Sequence, residues 1–181
     1  MSQVVAAAAD ESTAGELLRA AETRLAAAGV ASPRRDARLL LAAAMAVAET
    51  ALLTDPERLV TAQAAARFDG FVERRAARMP VARILGEREF WSLDFAIGPG
   101  VLDPRPDSET LVEGALAHVD SAPAGRRGAW RVLDLGTGSG CLLLALLSEL
   151  PNATGLGLER DPDAAALARA NAARHGLDGR A

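Results

Sequence analysis

The run Val132-Leu133-Asp134-Leu135-Gly136-Thr137-Gly138-Ser139-Gly140 constrains this chain more than any other segment. A short apolar strand leads into three glycines spaced two apart. The apolar stretch Cys141–Leu150 that follows has helical length, and a second short apolar run ends in a carboxylate at Leu158-Glu159. Strand, turn, helix, strand is the pattern of a βαβ unit, which needs a parallel sheet. The glycines let the backbone turn sharply and bring its N–H groups close to a ligand. The helix behind them points its positive end at the same spot.

Glu159, at the end of the second strand, can accept two hydrogen bonds from a ribose diol. The ligand class expected is therefore an adenosine-containing cofactor. The spacing departs from the dinucleotide fingerprint, because the third glycine follows the second by two residues and not three. The bland alternative is a strand–helix turn whose glycines serve packing. Three glycines, an Asp and a correctly spaced acid together argue against it.

Half of the 181 residues are hydrophobic, but many are Ala, which buries little area per residue. The net charge of −4 argues against non-specific attraction to nucleic acid or membranes. The acid excess sits in residues 87–181, while residues 1–86 are near balance. All 20 basic residues are Arg. The single Cys141 rules out an intramolecular disulfide framework and suits a reducing compartment. No apolar run is long enough to span a bilayer, and the N-terminus lacks a basic signal-peptide region. A cytoplasmic monomer is the expectation.

Residues 1–11 read as a disordered tail. Thr13 and Glu16 have capping-box spacing ahead of a helical stripe of Leu17, Leu18, Ala21, Leu25 and Ala28, with Gly29 as a stop. Ser32-Pro33 starts a second helix carrying Ala37, Leu40, Leu41 and Ala44 inward. Residues 62–78 suit another helix with Ala65, Phe68 and Val72 on one face, weakened by Asp69-Gly70. Residues 12–79 thus read as a helical bundle. From Glu87 to Val101 the pattern suits a β-hairpin closed by Gly98-Pro99-Gly100. Asp103-Pro104-Arg105-Pro106-Asp107 is a stiff turn. Ser108 or Asp107 then caps a helix with Leu111, Val112 and Leu116 inward.

The motif Asp-Leu-Gly-x-Gly-x-Gly resembles motif I of the S-adenosylmethionine-dependent methyltransferases. Upstream, Gly86-Glu87-Arg88-Glu89-Phe90-Trp91-Ser92-Leu93 and Leu102-Asp103-Pro104-Arg105-Pro106-Asp107-Ser108-Glu109 closely resemble the release-factor glutamine methyltransferase family (PrmC/HemK). The resemblance runs from about residue 12 to 177 and includes Asp161-Pro162-Asp163-Ala164 after Glu159. It implies an α/β fold: an N-terminal helical bundle for substrate recognition over 12–79, a linker with β-hairpin over 80–107, and the first part of a Rossmann-like methyltransferase domain over 108–181. It implies S-adenosylmethionine as cofactor, held by Gly136, Thr137, Gly138, Ser139 and Gly140 at the methionine part and by Glu159 at the ribose. Asp134 orders the loop. The implied substrate is the Gln of the Gly-Gly-Gln motif in class 1 peptide chain release factors.

The family's substrate motif, Asn-Pro-Pro-Tyr, has no counterpart here. There is no Tyr, and Asn152 and Asn171 are each followed by Ala. No catalytic residue is therefore assigned. The expectation is a chain that stops after two strands of the catalytic sheet, and that is inactive and poorly stable in its C-terminal third when alone. Two alternatives stay open: a paralogue acting on a glutamine of a ribosomal protein, and a non-catalytic release-factor-binding module.

Other residues carry two readings each. Arg105 supports the substrate side of the cleft, or sits in a surface turn paired with Asp107 or Glu109. Phe90 and Trp91 touch the cofactor or substrate loop, or join the hairpin to the core. Cys141 is a reactive thiol near a helix N-terminus or a small buried hydrophobe. Arg74, Arg75 and Arg78 meet a protein or ribosomal RNA, or form a solvated face. His118 and His175 lack partners at metal spacing and are expected at the surface.

Overall fold

The computed structural model describes residues 12–181, and the tail expected over residues 1–11 lies outside them. The chain divides into two compact units, the first ending at Leu85 and the second running Gly86–Ala181.

The first unit is helical: α1 (Ala14–Ala27), α2 (Pro33–Met45), α3 (Glu49–Thr54), α4 (Ala62–Ala76) and α5 (Val81–Leu85). Helix α1 begins on the capping box. The Glu16 N–H donates to Thr13 Oγ1 at 3.3 Å, and the Thr13 N–H donates to Glu16 Oε2 at 2.9 Å. Helix α2 begins on the fixed φ of Pro33, since Ser32 makes no side-chain cap bond. The apolar stripes meet in one core containing Leu25, Leu40, Leu41, Val60, Phe68 and Val72. Asp69-Gly70 does not interrupt α4, whose Phe68 and Val72 are anchored in that core. Arg75 Nε lies 2.7 Å from Asp36 Oδ2, a largely buried pair joining α2 to α4. The helical unit continues past Met79-Pro80 through α5, because Ile84 packs into the same core.

The second unit opens on an antiparallel hairpin, β1 (Glu87–Phe90) and β2 (Leu93–Ala96), with Phe90 opposite Leu93. The turn is Trp91-Ser92, both at positive φ (53° and 57°). This corrects the expectation that Gly98-Pro99-Gly100 closes the hairpin; those residues lie beyond it. Trp91, the first of these two non-glycine residues, is gripped by other elements. Glu109 Oε1 accepts the Trp91 N–H, and Glu149 Oε1 accepts the Trp91 indole N–H, each at 2.9 Å.

Helix α6 (Glu109–Ser121) follows a short 3-10 turn at Pro106–Ser108. Val112 and Leu116 face the core, but Leu111 is 62% exposed, contrary to expectation. Then come β3 (Arg131–Leu135), α7 (Cys141–Glu149), β4 (Thr154–Leu158) and α8 (Pro162–Arg174). Strands β3 and β4 are parallel, with Asp134 opposite Gly157 and Leu135 opposite Leu158. Phe90, Phe95, Val112, Leu144, Leu147 and Leu150 share one core, so the hairpin packs as part of this unit. Leu133, Leu135, Leu156 and Leu158 occupy the other face of the strand pair and stay exposed.

Candidate functional site

The site forms where β3 and β4 end side by side. The turn after β3 is bound to β4, with the Gly136 and Thr137 N–H groups donating to Leu158 O at 2.8 and 3.0 Å. Gly136, Gly138 and Gly140 have φ of 81°, 55° and 82°, the left-handed region that favours glycine. Their surroundings differ. A Cβ on Gly136 would meet nothing within 4 Å, and one on Gly138 only Val101 Cγ1 at 3.7 Å. A Cβ on Gly140 would meet Leu144 Cδ1 at 3.2 Å and Ala168 Cβ at 3.4 Å. The first two glycines thus present open backbone, whereas the third lets the loop pack on α7 and α8.

Glu159 is brought to the same place from β4. Its Oε2 accepts the Gly138 N–H at 3.0 Å, and its Oε1 accepts from Arg160 N at 2.8 Å and Asp161 N at 3.1 Å. The N–H groups of Asp161, Gly138 and Arg160 hold its carboxyl below the usual carboxylate range. Asp134 Oδ2 accepts the Thr137 hydroxyl at 2.7 Å, tying the strand end to the loop. Thr137 is buried on β4, where Gly157 leaves room for it: a Cβ there would lie 2.9 Å from Thr137 Cγ2. A cleft of about 190 Å³ opens beside the loop, lined among others by Thr137, Gly140, Leu156, Gly157, Glu159 and Arg169.

These residues fit an S-adenosyl cofactor. Gly136 and Gly138 carry no side chain on their open face, α7 begins directly after the loop with the positive end of its dipole there, and Glu159 offers an ionised acceptor for hydroxyls. The cleft is smaller than the ~300–1,000 Å³ of a whole small-molecule pocket.

The remaining expected residues separate. Arg105 is exposed and pairs with neither Asp107 nor Glu109; Glu109 instead fixes the hairpin turn. Phe90 is 1% exposed and packs edge-on to Phe95, joining the hairpin to the core. Burial pushes the Cys141 thiol up, in keeping with a small partly buried hydrophobe. The three arginines of the basic run are occupied internally: Arg75 with Asp36 and Met79 O, Arg78 with Gly29 O, and Arg74 with Gly70 O and over the Phe71 ring. His118 is exposed, but His175 is not a plain surface residue. Its Nε2 lies 3.0 Å from Asp94 O, and its ring packs against Phe95. Among the described residues no His, Cys, Asp or Glu group could hold a metal ion, and no helix is long and apolar enough to cross a membrane.

One polar residue escaped the sequence reading. Asn171, on α8, is fully buried, and its carboxamide joins the hairpin to the glycine loop. Its Oδ1 accepts the Ala96 N–H at 2.9 Å, and its Nδ2 donates to Ala96 O at 3.0 Å and Ser139 O at 2.9 Å. The only signal in the sequence is an Asn inside an alanine-rich helix.

Residues 16–86 match the PrmC N-terminal domain, and residues 127–181 match a methyltransferase domain. The chain is 47% identical over 167 residues to a release factor glutamine methyltransferase of Rhodospirillum rubrum, covering 92% of this chain and 50% of that protein. It is 47% identical over 171 residues to one from Agrobacterium fabrum, covering 94% and 58%. A third, from Vibrio cholerae, is 44% identical over 160 residues, covering 87% and 53%. The chain spans about half the length of the curated relatives it matches. The PrmC N-terminal domain, the methyltransferase domain and these identities make the chain similar, along nearly its whole length, to about half of a release factor glutamine methyltransferase.

Proposed function

We propose that this chain carries the recognition domain and the cofactor wall of an enzyme that methylates a glutamine amide of class 1 peptide chain release factors from S-adenosylmethionine. The observation that carries the reading is the meeting of Gly138 N–H with the Glu159 carboxylate at 3.0 Å. Two motifs far apart in sequence thereby form one ligand-facing surface at the ends of parallel strands, where such sheets bind ligands. In this reading Gly136, Thr137, Gly138, Ser139 and Gly140 bind the methionine part, with the start of α7 facing its carboxylate. Glu159 accepts from the ribose hydroxyls, and Asp134 steadies the loop through Thr137. When bound, the cofactor supplies an electrophilic methyl group.

A carboxylate has about four acceptor positions, and three N–H groups already use Glu159. Two ribose hydroxyls therefore require one of these bonds to yield. The Gly138 bond is the one that faces the open loop, so ligand binding should release the Gly138 N–H.

A primary amide is a poor nucleophile, since its nitrogen lone pair is delocalised. Its attack needs a pocket that positions it and favours the developing charge. Asn-Pro-Pro-Tyr, which would line that pocket in the family, is not in this sequence. Arg105, rigid between two prolines and exposed, is the residue on this chain proposed to support the substrate side. The partner is the release factor, and the compartment is the cytoplasm, where translation terminates.

The test is a chimera in which residues 1–181 replace the matching half of the Rhodospirillum rubrum relative. Radiolabelled methyl transfer to the Gly-Gly-Gln glutamine of a release factor is expected, with no transfer by the 181-residue chain alone. A folded chimera that binds S-adenosylmethionine but methylates no release factor would overturn the substrate assignment.

A further inference from the structure

Asn171 is an unusual residue for its place. Asn disfavours a helix interior, and a fully buried carboxamide is costly unless its donors and acceptors are matched. An alanine-rich helix such as α8 could fill the position with an apolar residue. Asn171 instead makes three hydrogen bonds, all to backbone groups of other segments.

Two of the bonds engage the free edge of β2. In a hairpin whose two-residue turn is flanked by Phe90 and Leu93, the groups of Asp94 and Ala96 point away from β1. Helix α8 and its C-terminal cap meet that edge with side chains four residues apart: Asn171 takes both groups of Ala96, and His175 meets Asp94 O. The match is geometric. Four helical residues rise about 6 Å, and two strand residues about 6.8 Å. The edge leaves the carboxamide one orientation, because the Ala96 N–H can only donate and so requires Oδ1.

That orientation aims the second Nδ2 proton at Ser139 O. Ser139 C=O and Gly140 N–H belong to one peptide unit, and the other end of the unit donates to Thr137 O at 2.8 Å. With Gly140 at φ 82°, this is a peptide that glycine would otherwise let turn over. It is pinned at both ends in the turn that carries Gly136 and Gly138.

We propose that Asn171 is a positioning residue that sets the glycine loop for the cofactor, with its carboxamide aimed by the outer edge of the hairpin. The proposal rests on the reading of Gly136–Gly140 as the cofactor loop.

The test uses the 181-residue chain, with amide exchange followed by NMR and S-adenosylhomocysteine binding followed by calorimetry. Asn171→Ala removes all three bonds. Gly140 amide exchange should rise about tenfold and affinity should fall about tenfold, the scale of one lost buried hydrogen bond, while Leu25 and Leu40 amides keep their rates. Ala96→Pro replaces the N–H that orients the carboxamide with a ring Cδ set against Oδ1, at a position whose N–H lies outside the β1–β2 ladder, and should also accelerate Gly140 exchange. Gly140 exchange within about twofold of the parent in Asn171→Ala overturns the positioning role. The same result in Ala96→Pro overturns the part given to the hairpin, and this variant decides the matter if Asn171→Ala does not fold. A parent chain that binds no S-adenosylhomocysteine, with Gly140 responding as described, counts against the cofactor reading and leaves the grip of Asn171 on the loop standing.

Discussion

Replacing Gly157 by Ala probes how the glycine loop is seated. A Cβ at this position would lie 2.9 Å from Thr137 Cγ2 and 3.0 Å from both Cβ and Oγ1 of the same residue. Ordinary carbon contacts begin near 3.5 Å, so strand or side chain must give by about 0.6 Å. Neither is free to do so. The Thr137 N–H donates to Leu158 O at 3.0 Å, its hydroxyl donates to Asp134 Oδ2 at 2.7 Å, and β4 is held in register with Asp134 opposite Gly157. Overpacking of this kind costs about 1–3 kcal/mol, partly offset by about 0.4–1 kcal/mol from stiffening the unfolded chain. A net loss of about 1–2 kcal/mol is expected in urea unfolding. If the strain instead moves the loop, a similar energy appears as about tenfold weaker S-adenosylhomocysteine binding. Adding Thr137→Ser removes Cγ2 and keeps the hydroxyl, so the double variant should recover part of the loss. A Gly157→Ala chain with parental urea midpoint and parental affinity would refute the claim that Thr137 seats the loop on β4.

Phe95→Ala should destabilise the second unit by about 3–5 kcal/mol, since Phe95 is fully buried and packs edge-on to Phe90; chemical denaturation measures it. Thr13→Ala removes the capping-box hydroxyl of α1 and should cost about 1 kcal/mol in the same assay. Glu159 has a folded pKa below its unfolded value, so its contribution is fully present above the unfolded value of about 4.3 and is lost as pH falls through the lower folded value. The Gly138 amide resonance, followed by NMR down the pH scale, should report that loss, and in Glu159→Gln it should no longer titrate there.

What the sequence made legible was local. The βαβ unit could be read because strand, glycine turn, helix and strand are consecutive, and Glu159 could be placed because its distance from the loop is set by one helix. The Thr13–Glu16 box and the stop at Gly29, with φ of 72°, follow from contacts within a few residues. The hairpin turn was misplaced for the opposite reason. Trp91-Ser92 carries no turn signature, and its left-handed backbone is held by Glu109 and Glu149 from two other helices. Leu111 fits a helical stripe, yet only packing decides which edge of that stripe is covered. Asn171 and Gly157 were invisible because their partners, Ala96, Ser139 and Thr137, are distant in sequence and meet them only in the folded unit.

The glycine loop and Glu159 are proposed to form one cofactor-binding surface. Calorimetric titration of S-adenosylmethionine into the 181-residue chain tests it most directly. A saturable one-to-one heat is predicted, weakened at least tenfold in Glu159→Ala, about the effect of one lost charge-assisted hydrogen bond. No heat at millimolar cofactor in a chain folded by circular dichroism, or equal affinity in Glu159→Ala, would contradict it.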